Sequence, residues 1–209
     1  IAAAAKKAEG TKILIGAQNM NDATEGAFTG EIAGRMLTDA GARFVVLGHS
    51  ERRHIFGESD EFINRKVKRA LADGLQPIVC VGETKKQREA EEMEKILQTQ
   101  ISGSLAGLSN EQMNNVVIAY EPVWAIGTGL TATPEMAQSA HRYCRELLAS
   151  SWNEETAEKT PILYGGSVKP DNVNTLMEQA DIDGVLVGGA SLKPESFAQI
   201  VNFQEKTTA

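Results

Sequence analysis

The chain predicts an α/β fold, a parallel sheet covered by helices. Three observations carry this. Short apolar runs and segments of helical period alternate six times along the sequence. The runs are continuous, without in/out alternation, as in strands buried on both faces. No linker-like, low-complexity or charge-block segment divides the 209 residues, so they read as a single domain. Two architectures satisfy the pattern, a doubly wound open sheet and an eight-stranded barrel. The absence of a G-x-G-x-x-G turn after the first strand counts against a dinucleotide-binding sheet.

The elements follow in order. Ala2 to Lys7 reads as the end of a helix, with Gly10 placed to cap it. Strands are predicted at Lys12–Gly16, Arg43–Leu47, Pro77–Val81, Val116–Tyr120, Ile162–Tyr164 and Gly184–Val187. Helices are predicted at Glu61–Asp73, Lys85–Ile101, Pro134–Ala149, Val173–Gln179 and Glu195–Phe203. Thr133-Pro134-Glu135 opens a helix with a cap, a proline and an early acid. Lys169-Pro170-Asp171 and Lys193-Pro194-Glu195 repeat the proline-acid opening.

Composition narrows the function. With 42% hydrophobic and 23% charged residues, the protein reads as soluble and globular. A net charge of -7 and a pI near 5.1 argue against general binding to nucleic acid or an anionic membrane. No apolar run approaches the roughly 20 residues that span a bilayer, and Ile1 to Gly10 do not read as a signal peptide. Cys80 and Cys144 lie far apart without a C-x-x-C or histidine cluster. They read as reduced thiols of a cytosolic protein, with no metal pair. Cys80, within a strand, belongs to the core.

The strand ends hold the chemistry. In order they read Gly16-Ala17-Gln18-Asn19, Gly48-His49-Ser50-Glu51-Arg52-Arg53, Gly82-Glu83-Thr84, Glu121-Pro122-Val123-Trp124, Tyr164-Gly165-Gly166-Ser167 and Gly188-Gly189-Ala190-Ser191. Polar residues and glycines collect there while the strand bodies are apolar, and in a barrel this end carries the active site. Glu121 is delivered by a strand that Pro122 stops. The loop beyond, ending in Gly127 and Gly129, has the stiff tip and permissive hinge of a lid. The two glycine pairs free backbone N–H groups toward an anion, phosphate being the usual one, and Ser167 adds a hydroxyl. His49 is a candidate to polarise a carbonyl as a neutral imidazole. Glu51 is its candidate electrostatic partner, although Glu51, Arg52 and Arg53 also read as a surface charge run. His54 and His141 receive no role.

These motifs together resemble the triosephosphate isomerase family over essentially the whole chain. The carrying segments are Gly48 to Arg53, Ala119 to Gly129, Tyr164 to Ser167 and Leu186 to Ser191. The resemblance implies a (β/α)8 TIM barrel with six of its eight strands present and the N-terminal part incomplete. It implies interconversion of dihydroxyacetone phosphate and glyceraldehyde 3-phosphate. Glu121 would be the base, His49 the neutral electrophile with Glu51 beside it, and Pro122 to Ala132 the lid. Gly127, Ser167, Gly188 and Gly189 would hold the substrate phosphate. The loop from Gln18 to Glu31, with Thr29 near its tip, would dock into a neighbouring subunit, so a cytoplasmic homodimer is expected. Neither cofactor nor metal is expected, since the chemistry is proton transfer alone. Two departures stand out. Leu130 occupies a hinge position where many members have lysine, with a small effect expected. The family's Asn-x-Lys strand end, whose lysine binds substrate, has no counterpart: Asn64-Arg65-Lys66 falls in a helical segment. About 40 residues of a typical barrel are therefore expected to be missing, the sequence being either incomplete or that of a truncated isomerase, and the 209 residues alone are expected to be inactive and poorly folded.

Overall fold

The computed structural model describes residues 1–126 and 130–204. In chain order they form α1 (Ala2–Ala8), β1 (Gly16–Ala17), α2 (Gly34–Asp39), β2 (Phe44–Leu47), α3 (Ser50–His54) and α4 (Asp60–Ala72). There follow β3 (Gln76–Val81), α5 (Lys85–Glu89), α6 (Met93–Ser104), α7 (Asn110–Met113) and β4 (Val117–Tyr120). The remainder is α8 (Pro134–Ser151), α9 (Glu154–Lys159), β5 (Ile162–Tyr164), α10 (Val173–Met177), β6 (Gly184–Val185) and α11 (Pro194–Val201). Two compact units result: Ile1–Cys80 with Gln100–Val117, and Val81–Thr99 with Ile118–Ala209.

In the first unit β1, β2 and β3 run parallel, with Gly16 opposite Phe44 and Phe44 opposite Gln76. The interior side chains of β2 and β3, among them Val45, Leu47, Val79 and Cys80, are fully buried. Helix α4 covers β2 with Ile63, Val67 and Ala70, spaced for a single helical face. Lys66 shares that face and is just as buried. Ser59 caps the helix by accepting the Phe62 N–H. β1 begins later than predicted because β2 begins at Phe44. Residues ahead of Gly16 lie opposite the turn at Ala40–Arg43, and Ile13 and Leu14 are exposed.

In the second unit β4, β5 and β6 are parallel, Ile118 facing Ile162 and Leu163 facing Gly184. Helix α8 packs on β5 and turns Ala137, Ala140, Cys144 and Leu148 inward. Thr133 caps it as the sequence indicates. β6 is shorter than predicted. Its partner ends at Tyr164, after which the Gly165 N–H turns away to the Tyr120 carbonyl.

The predicted helix Lys85–Ile101 is two helices. Glu91 stands at φ 56, a left-handed conformation that ends α5 before α6 begins. Three helices were not anticipated: α2, α7 and α9, each of six residues or fewer.

Candidate active site

Glu121 follows β4 directly and is 1% exposed. Its position is set by backbone contacts that only glycine neighbours allow. The Glu121 N–H donates to the Val81 carbonyl at 2.7 Å. A Cβ on Gly82 would lie 1.7 Å from the Glu121 carbonyl oxygen, and one on Gly165 would lie 3.0 Å from Glu121 Cγ. Any side chain at Gly82 would therefore displace the carboxylate-bearing backbone.

The next residues are tied to Glu83, a strand-end residue to which the sequence reading attached no role. Val123 N–H donates to the Glu83 carbonyl at 3.1 Å, opening a 3-10 turn over Val123–Ala125. The Glu83 carboxylate is wholly buried. It accepts from Trp124 Nε1 at 2.8 Å and from the Tyr120 hydroxyl at 3.1 Å to each oxygen. Burial raises its pKa above the usual carboxylate range, and the Trp124 and Tyr120 hydrogen bonds oppose the rise. Burial, followed by the Glu83 charge, holds the Tyr120 hydroxyl well above its ordinary value.

Farther along, Leu130 is exposed and Ala132 buried. The Tyr164 hydroxyl is buried below the glycine pair, 2.2 Å from where a Gly166 Cβ would stand. Burial pushes it up to about 12, with the Ala132 backbone drawing it partly back. Gly127 lies outside the described residues. Ser167 is half-buried and its carbonyl accepts from Asn172 Nδ2 at 3.0 Å, which fixes the turn after β5. Gly188 and Gly189 are exposed, and a Cβ on either would meet open space. The Gly188 carbonyl accepts from both the N–H and the hydroxyl of Ser191, shaping the 3-10 turn Gly189–Leu192. The second unit thus holds Glu121, Ser167, Gly188 and Gly189 together with Glu83, Trp124 and Tyr164.

The first unit holds His49 and Glu51. His49 caps α3 with its ring: Nδ1 accepts the Glu51 N–H at 3.3 Å. A nitrogen that accepts carries no proton, which in a neutral imidazole leaves the ring proton on Nε2. The Glu51 carboxylate is 3.8 Å from the same Nδ1 and 68% exposed. Its backbone, more than its charge, sets the ring. Arg53, read from sequence as part of a surface charge run, is instead buried. Gln18 and Thr29 are exposed on the loop between β1 and α2. Asn21 pinches that loop at its base, with N–H to the Ile32 carbonyl and Nδ2 to Glu31, both at 2.9 Å. Phe28 and Thr29 lie exposed near its tip.

Comparison with known proteins gives one answer. The family model described as triosephosphate isomerase matches residues 1–204. A protein named triosephosphate isomerase from Protochlamydia amoebophila is 57% identical over 192 residues, covering 92% of this chain and 73% of that protein. One of the same name from Herpetosiphon aurantiacus is 58% identical, covering 94% and 78%. Another from Chloroflexus aurantiacus is 54% identical over 204 residues, covering 98% and 82%.

Proposed function

The chain belongs to the triosephosphate isomerase family, and we propose that Glu121 and His49 carry the family's reaction in it. The fold is a partial TIM barrel with six parallel strands among the described residues, and the enzyme is an isomerase interconverting dihydroxyacetone phosphate and D-glyceraldehyde 3-phosphate. That step belongs to glycolysis and gluconeogenesis. A proton must leave one carbon, return to its neighbour, and cross between the two oxygens of an enediolate. Glu121 is the base. A carboxylate serves because it is ionised at neutral pH and regains its proton as product forms. His49 is the electrophile: its Nε2–H donates toward the oxygen on which charge develops, without the acidity of an imidazolium. Ser167, Gly188, Gly189 and Gly127 hold the phosphate, and the segment from Pro122 to Ala132 closes over it. Glu51 supports His49. The exposed loop of Gln18 and Thr29 joins two copies into a homodimer, and the enzyme works in the cytoplasm.

The observation that carries the reading is the seating of Glu121 between Gly82 and Gly165. Gly82 tolerates no side chain and Gly165 has room for one only if its neighbours shift, and the two flank the residue proposed as base. Glu121→Asp withdraws the carboxylate by one methylene and leaves its charge. Turnover of glyceraldehyde 3-phosphate should fall about a hundredfold, the scale of a general base, with KM little changed. Unchanged turnover would remove Glu121 from the chemistry.

A further inference from the structure

Arg53 stands in α3, four residues after His49, and its side chain is 8% exposed. Nε donates to the Gly48 carbonyl at 2.8 Å. Nη2 donates to the Cys80 carbonyl at 3.0 Å and to Ser104 Oγ at 3.2 Å, while Nη1 pairs with Asp60 at 2.5 Å. Ser104 Oγ in turn donates to Asp60 at 3.1 Å, which keeps the carboxylate and the guanidinium in register. All of these groups lie in the first unit.

Neutralising a buried guanidinium requires only Asp60. Besides the bond to Ser104, the other hydrogen bonds go to the carbonyls at the ends of two neighbouring strands. One of them belongs to Gly48, the residue before His49. Gly48 stands at φ 68, where L side chains rarely go, and a Cβ there would lie 3.1 Å from Arg53 Nη2 and 3.3 Å from the Cys80 carbonyl. The chain makes its sharp turn into His49 at a point that the guanidinium grips. On the other side of His49, its own carbonyl accepts the N–H groups of Arg52 and Arg53 at 2.8 and 3.0 Å. Arg53 therefore holds the residue from both directions, by its backbone on one side and by its side chain on the other.

We propose that Arg53 is a positioning residue for His49, fixing the backbone from which the imidazole aims its Nε2–H. The inference rests on the reading of His49 as electrophile. Lysine could keep the charge opposite Asp60, but a point donor cannot span both carbonyls as the planar fork does. A displacement of the imidazole of the order of 1 Å costs turnover far more than substrate binding.

The test compares Arg53→Lys, His49→Asn and the double variant, each measured for kcat, KM and denaturant midpoint. Arg53→Lys should lower kcat about tenfold or more with KM held within about twofold. In the His49→Asn background the same substitution should change kcat less than about twofold, because nothing remains to be positioned. Equal losses in both backgrounds, or full kcat in folded Arg53→Lys, would overturn the proposal. Should Arg53→Lys fail to fold, Asp60→Asn loosens the guanidinium without removing it. A smaller kcat loss that again vanishes with His49→Asn supports the proposal, and a loss that persists, or none, overturns it. Wild-type kcat in the His49→Asn single variant would instead strike the electrophile reading itself, and the proposal with it.

Discussion

The two units bury polar side chains in opposite ways. In the first, Glu58 is 3% exposed and accepts from Lys66 Nζ at 2.7 Å and Arg52 Nε at 2.6 Å, both on Oε1. Lys66, 1% exposed, also donates to Asn19 at 2.9 Å and lies 4.3 Å from the centre of the Phe62 ring. In the second, Glu83 is held by neutral donors, a phenol and an indole, and the nearest cation, Arg88, stands off at 3.7 Å. His141 and Tyr164 are buried there as neutral groups too. Arg145 with Asp181 and Asp183 is the second unit's ionic cluster, at a partly exposed edge. Ions of opposite sign hold a buried carboxylate by charge as well as by hydrogen bonds, whereas neutral donors hold it by hydrogen bonds alone. The neutral arrangement lies beside Trp124, in the segment proposed to move, and the ionic one braces the loop between β1 and α2 through Asn19.

The largest effect tests the ionic arrangement. Lys66→Met leaves Glu58 buried with Arg52 alone, which is half-buried, and should cost about 3 kcal/mol in denaturant unfolding. Burial lowers the Lys66 pKa and Glu58 opposes it, so the lysine itself is costly to bury. Replacing both, Lys66→Met with Glu58→Leu, should recover most of the loss. A double variant as unstable as the single one would mean that the pair is worth more than its apolar substitute, contrary to the usual balance.

The second test uses pH on the unit with neutral groups. His141 is fully buried, its Nδ1 3.1 Å from the Asp181 carbonyl, its ring 5.8 Å edge-on from Tyr120. Burial lowers its pKa to about 4, against the pull of Asp181 and Asp183. The folded state thus resists a proton that the unfolded chain takes up near 6.5. Stability from this residue is complete above about pH 6.5, falls as pH drops, and is gone near pH 4, a loss of about 3 kcal/mol. His141→Gln should flatten that part of the stability curve. An unchanged acid limb in the variant would show that other groups set it.

The contrast between the units also marks what could be read from the sequence. Strand ends and glycine turns were legible because apolar runs, β-branched residues and glycines are local signals. They led to Glu121, His49, Ser167, Gly188 and Gly189, and the structure seats each at a strand end or the turn that follows it. Helices α2, α7 and α9 escaped because none is long enough to show a period. Ser109 and Gln112, which form a capping box at α7, were the available cue. The break at Glu91 had none, since its neighbours all favour helix. Glu83 remained silent for a different reason: its partners Tyr120 and Trp124 stand 37 and 41 positions away. Lys66 did leave a signal, its place on the face of Ile63, Val67 and Ala70, where a charge demands a buried partner.

The smallest effect concerns the neutral donors. Trp124→Phe keeps the ring against Arg88, whose guanidinium lies 5.7 Å from the indole, and removes only the N–H. Glu83 keeps the Tyr120 hydroxyl, so the cost at neutral pH should be about 2 kcal/mol, the worth of one hydrogen bond to a charged group. Its pH dependence carries the information. The indole N–H is the strongest influence holding the Glu83 pKa down against burial, and its loss must raise that pKa further in the folded state. A raised folded pKa gives stability that is present below the unfolded value near 4.5 and is lost as pH rises through the folded one. The gap between variant and wild type should therefore be small at pH 4 and widen toward pH 7. A gap independent of pH would mean that the indole contributes packing alone. Glu83 would then not be held by that hydrogen bond, and the contrast between the two carboxylates would fail.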